Sequence, residues 1–269
     1  MRALKDLLVN DAEWPLDLAA TQIARIEFPE LEIEPVLAQI DEIARVVESR
    51  KPTNGESFVA ITNQYLFEEL GFAGNDSDYY DPRNSCLNEV LRRRLGIPIT
   101  LAVLYIEIGR RLQQPVHGIG LPGHFICRYN DGQYSVFIDP FNKVRLMSVE
   151  ECEDLVRETT GAGIQNRTTA FRRSTKRQIL TRMLQNLKGI YTRQQQWAKA
   201  LQVSELLVAA YPNAPEEVRA RAVAHLQLKR FSAARTDLKR YLELSPQATD
   251  GKMIREQIAN LDKWSAQWN

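Results

Sequence analysis

Apolar positions recur at helical spacing through the first quarter of the chain. Leu18, Ile23 and Ile26 line one side of a helix expected over 17–28, which stops at Pro29. Val36, Leu37, Ile40, Ile43, Ala44 and Val47 repeat the pattern over 35–48, and the run 57–70 continues it with Gly71 as its C-terminal cap. The polar, turn-rich stretch 74–82 reads as a loop. A short helix is expected over 84–95, with Asn84 or Ser85 as N-cap and Gly96 past its end. Pro98 then interrupts the chain, and Thr100 caps a helix over 101–112 that is apolar on most sides and therefore buried.

The period then changes from helical to alternating. Residues 116–121 read as a strand, followed by two alternating runs, 124–129 and 134–138, separated by Asn130-Asp131-Gly132-Gln133. Asp-Gly is a two-residue turn signal, because both central positions of such a turn need positive φ. A turn at Asp131-Gly132 pairs His124 directly with Asp139 and sets imidazole and carboxylate on one face. The same register gathers Phe125, Cys127 and Tyr129 opposite Ile138, Val136 and Tyr134 on the other face. A further helix is expected over 148–158.

Residues 159–178 change character again. They hold Gly161, Gly163 and Asn166 and a basic group of Arg167, Arg172, Arg173, Lys176 and Arg177, which reads as a solvated linker and helix start, the alternative being a group that grips a phosphate or an acidic partner. Beyond residue 179 the chain repeats itself: Trp197, Ala200 and Pro212 recur as Phe231, Ala234 and Pro246, thirty-four residues on in each case. Leu207 and Val208 match Tyr241 and Leu242 in that frame, and Tyr191 precedes Trp197 as His225 precedes Phe231. Paired helices at this period, with small residues where helices cross, resemble the tetratricopeptide repeat. Two repeats leave faces that need neighbours, so a terminal helix over 252–268 is expected as a cap. The expected division is a first domain over 1–160, a linker over 161–178 and a repeat domain over 179–269.

Composition narrows the function. Apolar residues make up 44% and charged residues 26% of the 269, with a net charge of +1, so no global field favours nucleic acid or an anionic membrane. No apolar run reaches the roughly 18–20 residues of a membrane span. The start of the chain has no cleavable leader pattern, and cytoplasm is the expected compartment. The three cysteines, Cys86, Cys127 and Cys152, show no metal-ligand spacing, and no cofactor motif is present.

A carboxylate beside an imidazole is either a surface pair that merely caps the hairpin or the orienter and base of a catalytic triad, and the second reading leaves the nucleophile to be found. Cys86 falls in the first turn of the helix at 84–95, where the helix dipole favours thiolate. Thr100 falls at the entrance of the buried helix and would need a base to take its proton. Each has a plain alternative: Cys86 as a small packed residue and Thr100 as a cap. Cys127 and Cys152 lie on packing faces, His117 sits at a strand rim, and His225 occupies a repeat position.

The runs Asn84-Ser85-Cys86-Leu87-Asn88-Glu89-Val90-Leu91, Arg94-Leu95-Gly96-Ile97-Pro98-Ile99-Thr100-Leu101, Leu121-Pro122-Gly123-His124-Phe125 and Ile138-Asp139-Pro140-Phe141-Asn142 together resemble the SirB1 family. The resemblance implies an α+β first domain, helix-rich with a small antiparallel sheet of transglutaminase-like, papain-like type, followed by an all-α tetratricopeptide-repeat domain. It implies His124 and Asp139 as the superfamily's His and Asp, with the superfamily's Cys position falling at or beside Thr100. Three functions are compatible with it. One is a protein-binding module with a degenerate triad, which docks a protein or peptide through an exposed groove on Tyr191–Trp197 and nearby helices. Another is an amide hydrolase or acyl transferase using Cys86 or Thr100 with His124 and Asp139. The third keeps the fold and uses the cleft for a small ligand or peptide without chemistry.

Overall fold

A computed structural model describes residues 2–10 and 14–267. These form two compact units, residues 14–183 in one and residues 2–10 with 184–267 in the other. Helix α1 (Arg2–Asn10) therefore belongs with the C-terminal part of the chain, although the sequence suggests grouping it with the first domain.

In the first unit, α2 (Leu16–Ala24), α3 (Glu34–Ser49) and α4 (Gly55–Asn63) form where apolar spacing predicts helices. A capping box starts α4, with Asn54 and Ser57 each accepting the other's backbone N–H. The helix expected over 57–70 is in fact two, because the chain widens at Gln64 into a π-helical turn, Gln64–Glu69. A short parallel pair, β1 (Ala73–Gly74) and β2 (Leu95–Gly96), brackets α5 (Leu87–Arg93). That helix is shorter than expected at both ends. Asn84 cannot cap it, because its side-chain oxygen accepts from Asn75 and Arg93 and its side-chain amide donates to the Asp78 carbonyl. Cys86 is the N-cap instead. Helix α6 (Pro98–Arg111) begins three residues earlier than expected, with Pro98 at its first position, where a missing N–H costs nothing.

The main sheet is antiparallel in the order β3 (Val116–Leu121), β4 (His124–Asn130), β5 (Ser135–Asp139) and β6 (Arg145–Met147). Pro122 and Gly123 turn β3 into β4, and Gly123 takes a φ of +72° that suits glycine at the third position of a type II turn. A Cβ there would also lie 2.7 Å from the Thr159 methyl. Between β4 and β5 the register differs by two residues from the one read off Asp131-Gly132. Cys127 faces Ile138 and Tyr129 faces Val136, so Asp139 falls opposite Ile126 and not His124. The turn is centred on Gly132-Gln133, with positive φ at Gly132 alone, and the Asp131 carboxylate accepts from the N–H groups of Gln133 and Tyr134. A shift of two keeps every side chain on its expected face.

Both faces of this sheet are covered. Helix α6 packs on the face of Phe125, Cys127 and Tyr129, with the Cys127 thiol 3.6 Å from the Ala102 carbonyl. Helix α7 (Val149–Thr160), started by a Ser148–Glu151 capping box, covers the other. There Ile119, Leu121, Ile126, Phe137, Cys152, Leu155 and Val156 form one cluster. After α8 (Arg167–Ala170), the segment expected as a free linker instead edges the sheet: Arg173 bridges to Ile119, and Ser174 donates to the Gly118 carbonyl at 2.8 Å. The outer edge of β3 needs partners for its backbone groups, and this segment supplies them.

Helix α9 (Lys176–Arg193) follows, then α10 (Trp197–Ala210), α11 (Pro215–Gln227), α12 (Phe231–Leu244) and α13 (Gly251–Gln267). Trp268, within the expected cap, lies outside the described residues. The repeat read from the sequence extends to the backbone. Gln195 and Lys229 both hold φ +57°, and Gln196 and Arg230 donate to the carbonyls of Tyr191 and His225, each at 2.8 Å. The second unit's core gathers Val208, Val218, Leu238, Tyr241, Ile254 and Ile258. Tyr191 has no exposed surface, so it is a core residue and does not line the exposed groove expected around it. No helix among the described residues is long and apolar enough to cross a membrane.

Candidate functional site

His124 opens β4 and Asp139 closes β5, which puts both at the end of the sheet where strands leave it. Their side chains meet diagonally, with His124 Nε2 at 2.9 Å from Asp139 Oδ2. Diagonal neighbours on one face lie within reach of long side chains, so the two-residue register difference leaves this contact in place. Asp139 is 1% exposed and takes four hydrogen bonds. Besides His124 its donors are the backbone N–H groups of Phe141 and Asn142 and, at 2.7 Å, the Asn142 side-chain amide. Burial alone pushes its pKa up, but the bonds from His124, Asn142 and Phe141 together hold the carboxyl below the usual carboxylate range. It is therefore an anion that fixes the imidazole's orientation. Among the described residues Asp139 is the imidazole's only hydrogen-bond partner, which leaves Nδ1 without one.

A folded pKa below the unfolded value means that Asp139 contributes stability above about pH 4 and loses it as the pH falls through the folded value. Asp139→Asn should therefore be less stable than wild type at pH 7. The gap should close as the pH is lowered below about 4 in parallel chemical denaturation series. A gap that stays constant down to pH 2 would contradict the ionised, bonded state.

The pair faces a cleft of about 600 Å³. Tyr79, Phe141, Asn142 and Arg145 line it together with Glu158 and Thr159 of α7, and α6 contributes Pro98. Phe141 stands edge-on to both His124 and Tyr79, with ring centres 6.1 and 6.0 Å away. From α9, the Arg182 guanidinium donates to the carbonyls of Leu121 and His124 at 3.1 and 2.7 Å, fastening the turn that carries the imidazole. Burial lowers the pKa of Arg182, which stacks over Phe125.

Neither nucleophile candidate lines this cleft. Thr100 is fully buried as the third residue of α6. Its hydroxyl donates to the Asn84 carbonyl at 2.8 Å and accepts from the Ile97 N–H at 3.1 Å. Cys86 is also fully buried, its thiol turned to the Pro82 carbonyl at 3.5 Å. Burial pushes that thiol far above its ordinary range, and the charges of Glu27, Glu89 and Asp81 add to the effect. The dipole of α5 does not offset a desolvation of that size. The structure thus joins His124 to Asp139 and leaves Cys86 and Thr100 elsewhere. Cys127 and Cys152 are buried, in line with the packing role read for them.

Two site residues were missed in the sequence. For Asn142 the signal was Asp139-Pro140, a turn in which the Asp carboxylate accepts the N–H two residues on and so draws the following residues back towards it. Arg182 carried none, because it reaches the site from 58 residues downstream.

Residues 34–185 match the transglutaminase-like superfamily, and residues 187–259 match a tetratricopeptide repeat. A UPF0162 protein of Xylella fastidiosa (strain 9a5c) is 38% identical over 267 residues, covering 94% of this chain and 92% of that protein. Protein SirB1 of Salmonella typhimurium is 26% identical over 262 residues, with 96% of each chain covered. F-box only protein 21 of Homo sapiens is 29% identical over 217 residues, which are 68% of this chain and 34% of that protein. A profile that spans most of the first unit, followed at once by a repeat profile, is the same order of parts that the two units display. The chain belongs to the transglutaminase-like superfamily, as a SirB1-like member with C-terminal tetratricopeptide repeats.

Proposed function

We propose that this chain is a protein-binding module in which the transglutaminase-like domain keeps the base and orienter of a triad and has lost the nucleophile. The observation that carries the reading is the Thr100 hydroxyl, sealed from solvent and committed to the Asn84 carbonyl. General-base activation of a hydroxyl needs the base within hydrogen-bond reach of its proton, about 2.6–3.2 Å. Thr100 has given its proton to a backbone acceptor, and Cys86 to another. Cysteine- or threonine-dependent amide hydrolysis or acyl transfer would require one of these side chains to leave its present bond and enter the cleft.

Binding then falls to the repeats, whose stacked helices present extended surfaces to protein or peptide partners. Affinity capture with the full chain tests this division. Wild type and His124→Ala should retain the same partners. Loss of the partners in His124→Ala alone, with the fold intact by circular dichroism, would favour chemistry in the cleft.

A further inference from the structure

The basic group read as part of a linker, Arg167 to Arg177, does not stay in solvent as one patch. Two of its members, Arg173 and Lys176, reach the wall of a second cavity of about 420 Å³. It lies inside the first unit, away from His124, between α6, β3 and the start of α9. Its floor is apolar, made by Leu16, Ile106, Val116 and Ile179, and its remaining wall is polar, with Arg110, Arg173 and Lys176 against one carboxylate, Glu107.

The charges there do not cancel. Glu107 is the one carboxylate in the wall, and it is already satisfied by Arg110 at 2.6 Å, Arg111 at 3.0 Å and the Leu16 N–H at 3.2 Å. Arg173 has no carboxylate partner among the described residues. Lys176 donates to a neutral acceptor, the Trp14 carbonyl, at 2.9 Å. The positive end of the α9 dipole opens onto the same space. His117 stands in this wall with Arg173 beside it, Arg128 paired across from it on β4, and Arg110, Glu107 and Lys176 on the elements packed around it. Burial first, and the charge of Arg173 second, lower the pKa of His117, a shift that one bound anion would oppose.

We propose that this cavity binds a small aliphatic carboxylate, its head held by Arg173 and Lys176 and its apolar body laid on Leu16, Ile106, Val116 and Ile179. A volume of 420 Å³ is within the range of small-molecule sites, and a mostly apolar lining with a few convergent charges is their usual chemistry. Two cations without a carboxylate partner, set beside an apolar floor, suit a monoanion with an apolar body better than a bare phosphate dianion, which would need more donors and no hydrophobic floor.

Octanoate is the probe, with octanol and inorganic phosphate as the uncharged and bodiless controls, titrated into the full chain by calorimetry. Octanoate should bind one site with a dissociation constant below about 1 mM. Octanol and phosphate should bind at least about tenfold more weakly. Arg173 is exposed, so Arg173→Ala should fold normally and should weaken octanoate by about tenfold or more, the loss expected for one charge-assisted contact. The His117 ring-proton titration, followed by NMR, should move to higher pH in octanoate for wild type and not for the variant. Octanol binding as tightly as octanoate, phosphate doing so, no saturable binding, or an unchanged constant in Arg173→Ala would each overturn the proposal.

Discussion

Thr100→Val is expected to destabilise the first unit by about 2–4 kcal/mol while leaving partner capture unchanged. Valine keeps the shape of threonine and removes only the hydroxyl. Two buried backbone groups lose their partner: the Asn84 carbonyl, within the 3-10 turn at Pro82–Ser85, and the Ile97 N–H, which precedes α6. Each unsatisfied buried group costs about 1–3 kcal/mol, and the hydroxyl serves both at once. Thr100→Ser retains the oxygen and should recover most of the loss, which separates the hydrogen bonds from packing. Urea denaturation followed in the first unit reads the difference as a shift in midpoint at constant slope. A Thr100→Val chain as stable as wild type would mean that the hydroxyl is not a structural clasp, and the nucleophile question would reopen.

In the second unit the largest single loss is expected from Tyr191→Ala, about 3–5 kcal/mol. Tyr191 is fully buried, and its carbonyl accepts from Gln196 at the tight bend into α10. Removing the ring leaves a cavity at the point where the first repeat's helices meet. His225 holds the equivalent backbone position one repeat later, accepting from Arg230, but it is only partly buried, and the ion pair of Arg221 with Asp237 lies beside it. His225→Ala should therefore cost less than Tyr191→Ala, although both occupy the same place in the repeat. Hydrogen exchange measured across residues 184–267 should show the loss as faster exchange through α10 and α11. Unchanged protection there would contradict the core assignment.

The sequence was most legible where one residue type has one physical use. Gly71 holds the positive φ expected of it past a helix end, and Gly132 the positive φ expected of it in a tight turn. The thirty-four-residue period returned in matching dihedrals at Gln195 and Lys229. The His124–Asp139 contact was also readable, although the turn beneath it was placed one residue early. Faces alternate with a period of two, so a two-residue register difference moved the pairing from direct to diagonal without separating the side chains.

What escaped was set by tertiary partners. Asn84 looks like a cap until Asn75 and Arg93 occupy its side chain. Cys86 looks activated by position until its burial is known. Tyr191 has the amphipathic chemistry of a docking residue, and only packing turns it inward. The linker reading failed for Arg173 because nothing local reveals that the edge of β3 is open and needs a partner.

The claim that the triad lacks its nucleophile is tested most directly by alkylation of Cys86. Native protein would be treated with iodoacetamide at pH 7, and modification of each cysteine followed by mass spectrometry, alongside a sample denatured in urea. A fully buried thiol with its pKa pushed far upward predicts that Cys86 reacts far more slowly in the native chain than in the denatured one, at a rate unaffected by His124→Ala. Native Cys86 that reacts faster than a denatured thiol, and slows when His124 is removed, would show a working thiolate and contradict the account.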